Sequence, residues 1–382
     1  MRACKLSMQK RIYVVILIGL AVSSILRLAG GGGGSGAIWR GDGTPTQTDD
    51  AIDVAVYLLQ YKNYTTTRNP AVSVFRTDVL RRYGTGRVNF LLHENAKCNF
   101  ECTNDVEYNR SQHILAPCLA VTRPSYCDDH ELLKCTYPQC KTMITNDETC
   151  EFTNIPFDIR QYYTTDGPQR GYLPLGPRID SWISFQRIQQ GLGRAQFVTP
   201  PSSERKFAFN AIFSQSTNPE RQNLARMIEA GSMTLKLPIF SSMAKEWHPD
   251  ANSDQTEQLP TDEYMGVVLD SVFTLSPAGH NPECFRLFEA IMAGSIPLLT
   301  RDDLLGNSYR EGLKLPHPCA NALLHWYGAP IIVLDSWDDL NSTVETLLAD
   351  PGRLDEIQNK LQNWYDGYMR MIVAKFEDEF LG

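Results

Sequence analysis

Residues 276–299 read SPAGHNPECFRLFEAIMAGSIPLL, and the reading of this stretch decides the fold. Its first half is loop-forming, with Pro277, Gly279, Asn281 and Pro282. After it Cys284, Leu287, Phe288 and Ile291 recur at i, i+3, i+4 and i+7, one apolar face of a helix. Asn281 suits the cap of that helix and Pro282 its first turn, where no backbone N–H is missed. Gly294 is expected to end the helix, and Ile296–Leu299 to enter a buried parallel strand. Val272–Leu275, just upstream, has the composition of another strand. Strand, glycine-bearing loop, helix and strand make the unit of a doubly wound α/β sheet, which binds ligands beyond the carboxyl ends of its strands.

The charged residues of the stretch fit that location. Arg286 and Glu289 are expected on the helix face away from the apolar stripe. Free amides around Gly279 and Asn281, with the helix dipole and the charge of Arg286, favour an anion such as a diphosphate. Glu289, one turn on, is suited to accept the hydroxyls of a ribose, and Gly294 and Ser295 close the same nucleotide-binding block. The alternative is a packed helix whose Arg and Glu form an i, i+3 ion pair.

Working outward, strands and helices alternate through the rest of the chain. Ile52–Leu59 and Val88–His93 read as strands of a first domain, residues 51–196, and Gly171–Arg178 (GYLPLGPR) as a rigid loop within it. Phe197–Glu204 is a linker rich in Pro and Ser. A second domain, residues 197–382, then carries a strand at Phe207–Phe213 and a loop and helix in SQSTNPERQNLARMIEAG. A strand at Ile331–Leu334, a helix at Leu340–Leu348 and a long helix or helix pair over Leu354–Phe376 follow. Trp326, Trp337 and Trp364 read as packing aromatics.

At the N-terminus, Lys5, Lys10 and Arg11 precede an uncharged run from Ile12 to Leu26 that Arg27 closes. This predicts a cytosolic tail at 1–11 and a signal-anchor transmembrane helix at 12–28, with a cleaved signal peptide as the alternative. Five glycines at 30–34 begin a flexible stalk over 29–50. Cys98, Cys102, Cys118, Cys127, Cys135, Cys140 and Cys150 crowd one region, which reads as a stapled insertion at 98–150 with little regular structure. Disulfides in an oxidising lumen explain the cluster, and zinc is the rival explanation. Sequons at Asn63, Asn109 and Asn341 fit the same compartment. The composition, 42% apolar and 21% charged with net charge −8, is that of a globular chain and argues against nucleic acid as a partner.

Three longer runs carry a resemblance. FTLSPAGHNPECFRLFEAIMAGSIPLL, HPCANALLHWYGAPIIVLDSWDDL and LQNWYDGYMRMIVAKFEDEF closely resemble the C-terminal half of the ribitol-5-phosphate xylosyltransferase family, type II Golgi membrane proteins related to the exostosin glycosyltransferases. VNFLLHENAKCN, GYLPLGPRIDSW, ERKFAFNAIFSQSTNPERQNLARMI and KEWHPDAN resemble its earlier blocks, in order, so that the likeness covers most of Val88–Phe380. It implies a GT-B fold of two Rossmann-like domains, the second holding a UDP-sugar. It also implies inverting transfer of xylose to a glycan or glycoprotein acceptor, in the Golgi membrane with the enzyme domain lumenal. Another UDP-sugar, or an inactive binding subunit, is the alternative.

Under that resemblance an inverting displacement needs a base on the acceptor side and positive charge at the departing diphosphate. Glu94 and Asp180, then His93, are the candidate bases. Arg286, the Gly279–Asn281 amides, Arg178 and Lys206 are the candidate diphosphate partners. No cofactor is required. Asp302 and Asp303 have the form of a paired-carboxylate metal site, but GT-B resemblance makes them loop residues. Cys284 and Cys319 are candidates for a bridge pinning the donor helix.

Overall fold

The structure is a computed structural model that describes residues 51–59, 79–96, 117–122, 139–145, 155–162, 171–192, 198–231, 233, 235–246, 258–305, 323–326 and 328–381. The tail, signal-anchor, stalk and Cys319 expectations lie outside those residues. Among the described residues no helix is long and apolar enough to cross a membrane.

The first sheet comprises β1 (Ile52–Leu59), β2 (Val88–Ala96), β3 (Cys118–Thr122), β4 (Lys141–Ile144), β5 (Ile159–Arg160) and β6 (Gly171–Tyr172), in the spatial order β2-β1-β3-β4-β5-β6. Every pairing is parallel. β1 lies between β2 and β3, and its Val54, Ala55 and Val56 are buried on both faces, as a continuous apolar run in a covered parallel sheet requires.

The cysteine-rich stretch 98–150 is not an insertion beside the sheet, because it supplies β3 and β4, two of the sheet's inner strands. Cys118 and Cys140 are joined by a disulfide with Cα atoms 4.7 Å apart. That separation is the ordinary spacing between neighbouring strands, so the bond follows from the pairing of β3 with β4. The cysteines that suggested an irregular region masked the short strands CLAVT and KTMI.

The second sheet has β7 (Phe207–Ser214), β8 (Phe240–Ala244), β9 (Ser271–Leu275), β10 (Ile296–Thr300) and β11 (Ile332–Leu334), in the order β11-β10-β9-β7-β8 and again all parallel. With α1 at Val79–Tyr83 and α2 at Ile179–Gly191 upstream, its own helices are α3 (Pro219–Glu229), α4 (Thr261–Leu269), α5 (Phe285–Met292), α6 (Arg301–Leu305) and α7 (Leu340–Leu348). Both sheets are thus parallel α/β. α3 begins where its sequence dictates, with Pro219 in the first turn and the Asn218 side chain accepting from the Glu220 amide.

α5 differs from expectation. It begins at Phe285, and Asn281 accepts from the Glu283 amide in a tight turn ahead of the helix, so Cys284 stands at the cap without a capping side chain. Gly294 ends α5 with φ +71, a conformation that suits glycine, and a Cβ there would lie 2.5 Å from Thr199 Oγ1 and 2.6 Å from Arg205 Nη2.

The last helix, α8 (Pro351–Leu381), serves both sheets. Its beginning packs on the second: Gln358 accepts from the buried Ser202 hydroxyl at 2.7 Å and Asp355 from the Ser203 hydroxyl at 2.7 Å. Its end packs on the first, where Phe376 stacks on Phe90 at 5.2 Å, Asp366 accepts from Tyr83 at 2.8 Å and Glu377 accepts from the Thr85 amide at 2.9 Å. A domain boundary that assigns all of 197–382 to the second unit therefore leaves out the packing of this end.

Phe376 is 2% exposed, so Phe376→Ala should lower unfolding free energy in urea by about 3–5 kcal/mol. Asp378→Ala, which removes a solvent-exposed ion pair with Arg87, should cost less than about 1 kcal/mol in the same titration.

Candidate functional site

The second sheet sets the location. From β7 the chain crosses to β8 on one side and then returns to β9 on the other. The loops after β7 (215–218) and after β9 (276–284) therefore diverge at the carboxyl edge, leaving the crevice where such sheets hold ligands.

Two buried side chains shape the loop after β9. Arg221, in the first turn of α3 and 5% exposed, donates to the carbonyls of Ser214, Pro277 and Ala278 and to Thr217 Oγ1. Its Nη2 would lie 2.9 Å from a Cβ on residue 279, so glycine stands there because the guanidinium passes beneath it. Asp303 accepts from the Ala278 amide at 3.0 Å, and from the Thr300 amide and hydroxyl at 3.1 and 2.8 Å. Both of its oxygens are thus spent on the loop and on the start of α6. Asp302 and Asp303 are helical, not loop residues, and among the described residues no group of three or more His, Cys, Asp and Glu is placed to hold a metal.

The loop amides are consequently less available than the sequence suggested. Ala278 donates to Asp303 and Gly279 to the Asn281 carbonyl, while Asn281 is 3% exposed and engaged by Glu283. The donors that remain are at the uncapped start of α5. Arg286, in its first turn, has Nε and Nη1 buried with no hydrogen-bond partner among the described residues. Two buried guanidinium nitrogens left without acceptors mark a place where an anion completes the bonding.

Arg178 and Glu289 converge beside it. Glu289 is 3% exposed; its Oε2 accepts from the Tyr264 hydroxyl at 2.7 Å and its Oε1 from the Arg178 amide at 3.3 Å. The Arg178 side chain lies 3.7 Å from the same Oε1 and donates to Asp180 at 3.0 Å. Burial pushes the Tyr264 hydroxyl well up, as does the Glu289 charge, with Arg286 opposing. Arg178 is pushed up by Glu289 and then Asp180, against a larger opposing effect of burial. The alternative i, i+3 pair of Arg286 with Glu289 is not formed; Glu289 pairs across to Arg178, which follows the first sheet.

The remaining candidates fall elsewhere. Lys206, Gly294 and Ser295 precede strands β7 and β10, so they sit at the amino edge, opposite the crevice. Lys206 is paired with Asp270 at 2.6 Å, and Ser295 is fully buried against Thr274 at 2.8 Å. Asp180 is in the first turn of α2, where it accepts from the Ser181 amide and from Thr261 besides Arg178. His93 and Glu94 lie inside β2, not at its end, and their side chains fall outside the described residues. Cys284 carries a free thiol, which leaves the bridge to Cys319 without support.

Sequence reasoning missed Arg221, Tyr264 and Glu283. Only Arg221 gave a signal: a cation in the first turn of a helix opposes the dipole and calls for a local reason. Tyr264 sits in an ordinary apolar helix pattern, and Glu283 in a loop that periodicity does not describe.

Comparison with known proteins adds the family. Residues 194–380 match the RXYLT1 C-terminal domain. The matched residues make up just under half of the chain and are similar to that family. The mouse protein named ribitol-5-phosphate xylosyltransferase 1 is 26% identical over 179 residues, 45% of this chain and 37% of its own length. Its human counterpart is 27% identical over 176 residues, with 45% and 37% covered. The chain thus spans little more than a third of the length of these relatives. Among solved structures, an alpha-glucosyltransferase in complex with UDP aligns with a TM-score of 0.46 and 9% identity, covering 86% of this chain and 99% of that one. WaaG, a glycosyltransferase of lipopolysaccharide biosynthesis, aligns with a TM-score of 0.37, 13% identity and 86% and 100% coverage. At such scores the likeness decides nothing further. In this domain Arg221 is the strut of the β9 loop, and Arg221→Met should cost about 3 kcal/mol or more in urea unfolding by leaving buried carbonyls unpaired.

Proposed function

We propose that the chain is a glycosyltransferase of GT-B type that moves a sugar from a UDP-sugar, most directly UDP-xylose, to a glycan or glycoprotein acceptor with inversion. The observation that carries the reading is Arg286, its buried nitrogens without acceptors, at the uncapped start of α5 and on the carboxyl edge of the sheet. The names of the relatives support xylose, and the pair of parallel sheets supports the fold type.

In this reading a diphosphate accepts from Arg286 and from the first amides of α5, and the same groups stabilise the charge that builds on UDP as the glycosidic bond breaks. Arg178, held in place by Glu289, adds a second cation. Glu289 anchors a ribose only by sharing oxygens already engaged by Tyr264 and Arg178, so its first role is to orient Arg178. Asp180, beside Arg178 and 43% exposed, is the base candidate that this cluster presents to solvent. A Golgi location and an N-terminal signal anchor belong to the same proposal. They rest on the sequence of residues 5–27 and are supported by the Cys118–Cys140 disulfide, a bond of oxidising compartments.

One observation favours a second reading, a sugar-nucleotide-binding subunit without turnover: Asp180 is committed to Arg178, Thr261 and the Ser181 amide. UDP release in the presence of candidate acceptors separates the two.

Calorimetric titration with UDP, UDP-xylose, UDP-glucuronic acid and UDP-galactose tests the donor site. Binding of UDP and of one UDP-sugar above the rest is expected, with affinity falling by about tenfold or more in Arg286→Ala, as for a lost charge-assisted hydrogen bond of roughly 1.5–3 kcal/mol. A folded protein that binds none of the four would sink the reading.

A further inference from the structure

Glu283 has no part in the reading so far, yet it is among the most deeply buried carboxyl groups described, at 1% exposure. It sits in the turn between Asn281 and the start of α5. Its Oε1 accepts from the Tyr172 hydroxyl at 2.8 Å and from the Leu175 amide at 3.3 Å, both supplied by the end of the first sheet. Its Oε2 is buried and has no hydrogen-bond partner among the described residues. Tyr172 in turn feels the charge state of Tyr368 of α8 and is stacked on His325 with ring centroids 4.7 Å apart and planes 2° from parallel. One carboxyl group therefore joins the last strand of the first sheet to the turn that sets the direction of α5.

We propose that Glu283 is a positioning residue for the donor site, fixing the turn before α5, and with it Arg286, to Tyr172 and Leu175 while it remains a neutral acid. The proposal rests on the donor-site reading above. Neutrality follows from the surroundings: an ionised carboxylate with one oxygen unpaired in a buried pocket is far more costly than the acid. Burial pushes the group up to about 8, the bonds from Tyr172 and Leu175 opposing only in part. The groups that face it are neutral as well. Burial pushes Tyr172, Tyr365 and Tyr368 up, and His325 is pushed down to about 4, chiefly by burial and then by Lys375.

The sign of the pH effect is fixed by this upward shift. The folded protein keeps a proton that the unfolded chain releases above the ordinary carboxyl value, so the contribution of Glu283 is complete below that value and drains away as pH rises through about 8. Above it, the charged form favours leaving the pocket, and the turn loses its tie to the first sheet.

The test is UDP affinity by calorimetry from pH 6 to pH 9 in the wild-type protein, in Glu283→Gln, which keeps the shape and cannot ionise, and in Tyr172→Phe. Wild-type affinity should fall about fivefold between pH 8 and pH 9, as the protonated form that holds the turn drops from about a half to about a tenth of the molecules. Glu283→Gln should show no such limb, and because uracil titrates alike in both proteins, the difference isolates Glu283. Tyr172→Phe should move the wild-type limb to higher pH, having lost the bond that favours the charged form. A wild-type profile flat to pH 9, or an equal alkaline fall in Glu283→Gln, overturns the proposal. Should Glu283→Gln fail to fold, the wild-type and Tyr172→Phe profiles still decide. Absence of UDP binding by the wild type at every pH would remove the donor-site reading itself, a result distinct from binding that is merely insensitive to pH.

Discussion

The constraint on which the rest depends is that one helix, α8, buries residues against two sheets. At 31 residues it is a rod of roughly 46 Å, too long for either sheet alone. Leu354, Gln358 and Leu361 are buried at its beginning, and Tyr365, Met369, Ile372, Phe376 and Phe380 towards its end. The switch of partner comes around Trp364, which stacks on Tyr368 at 5.0 Å and lies 5.5 Å from Trp326. Because a helix bends little over this length, the carboxyl edge of the second sheet and the Tyr172–Arg178 segment of the first stay in register, and groups from both converge on α5.

Within that frame the site is held by side chains that bond backbone and leave little to chance. Arg221 collects carbonyls at the carboxyl edge, and at the amino edge Arg205 does the same, donating to the carbonyls of Leu269, Ser271, Pro200 and Ala293. Guanidinium suits this work, since its fork of donors meets several acceptors at once. Asp303 and Glu289 take the complementary task for donors. A shell bonded this fully does not need to reorganise when charge arrives, which is the condition under which fixed dipoles and cations act on a diphosphate.

The α/β architecture was legible because it is written in local runs. FAFNAIF, SVFTL and IPLLT are long enough, and bounded clearly enough, for their periodicity to speak, and Asn218-Pro219 marks a helix start that the structure keeps. The first sheet was harder: β5 and β6 are two residues each, and β3 and β4 are short runs inside a field of cysteines. At the site, spacing placed Arg286 and Glu289 on α5 but not the protein partners of Glu289, because an i, i+3 pair is the only contact that a single helix can predict. Tyr264 lies 25 residues from Glu289, Arg178 lies 111 residues away, and no local pattern encodes either meeting. Lys206 and Ser295 fail for a related reason: charge and polarity are visible in sequence, whereas the edge of the sheet on which they fall follows from topology.

The span of α8 also separates two notions of a boundary. The stretch alike in sequence to the RXYLT1 C-terminal domain begins at residue 194, yet the face of α8 that bears Tyr365, Ile372, Phe376 and Phe380 finds its cover upstream of that point, on Tyr83, Val88 and Phe90. A polypeptide cut to the matched residues would carry a water-exposed aromatic ridge several turns long, the kind of surface that drives precipitation. The stretch matched in sequence is therefore shorter than the stretch that packs as one core.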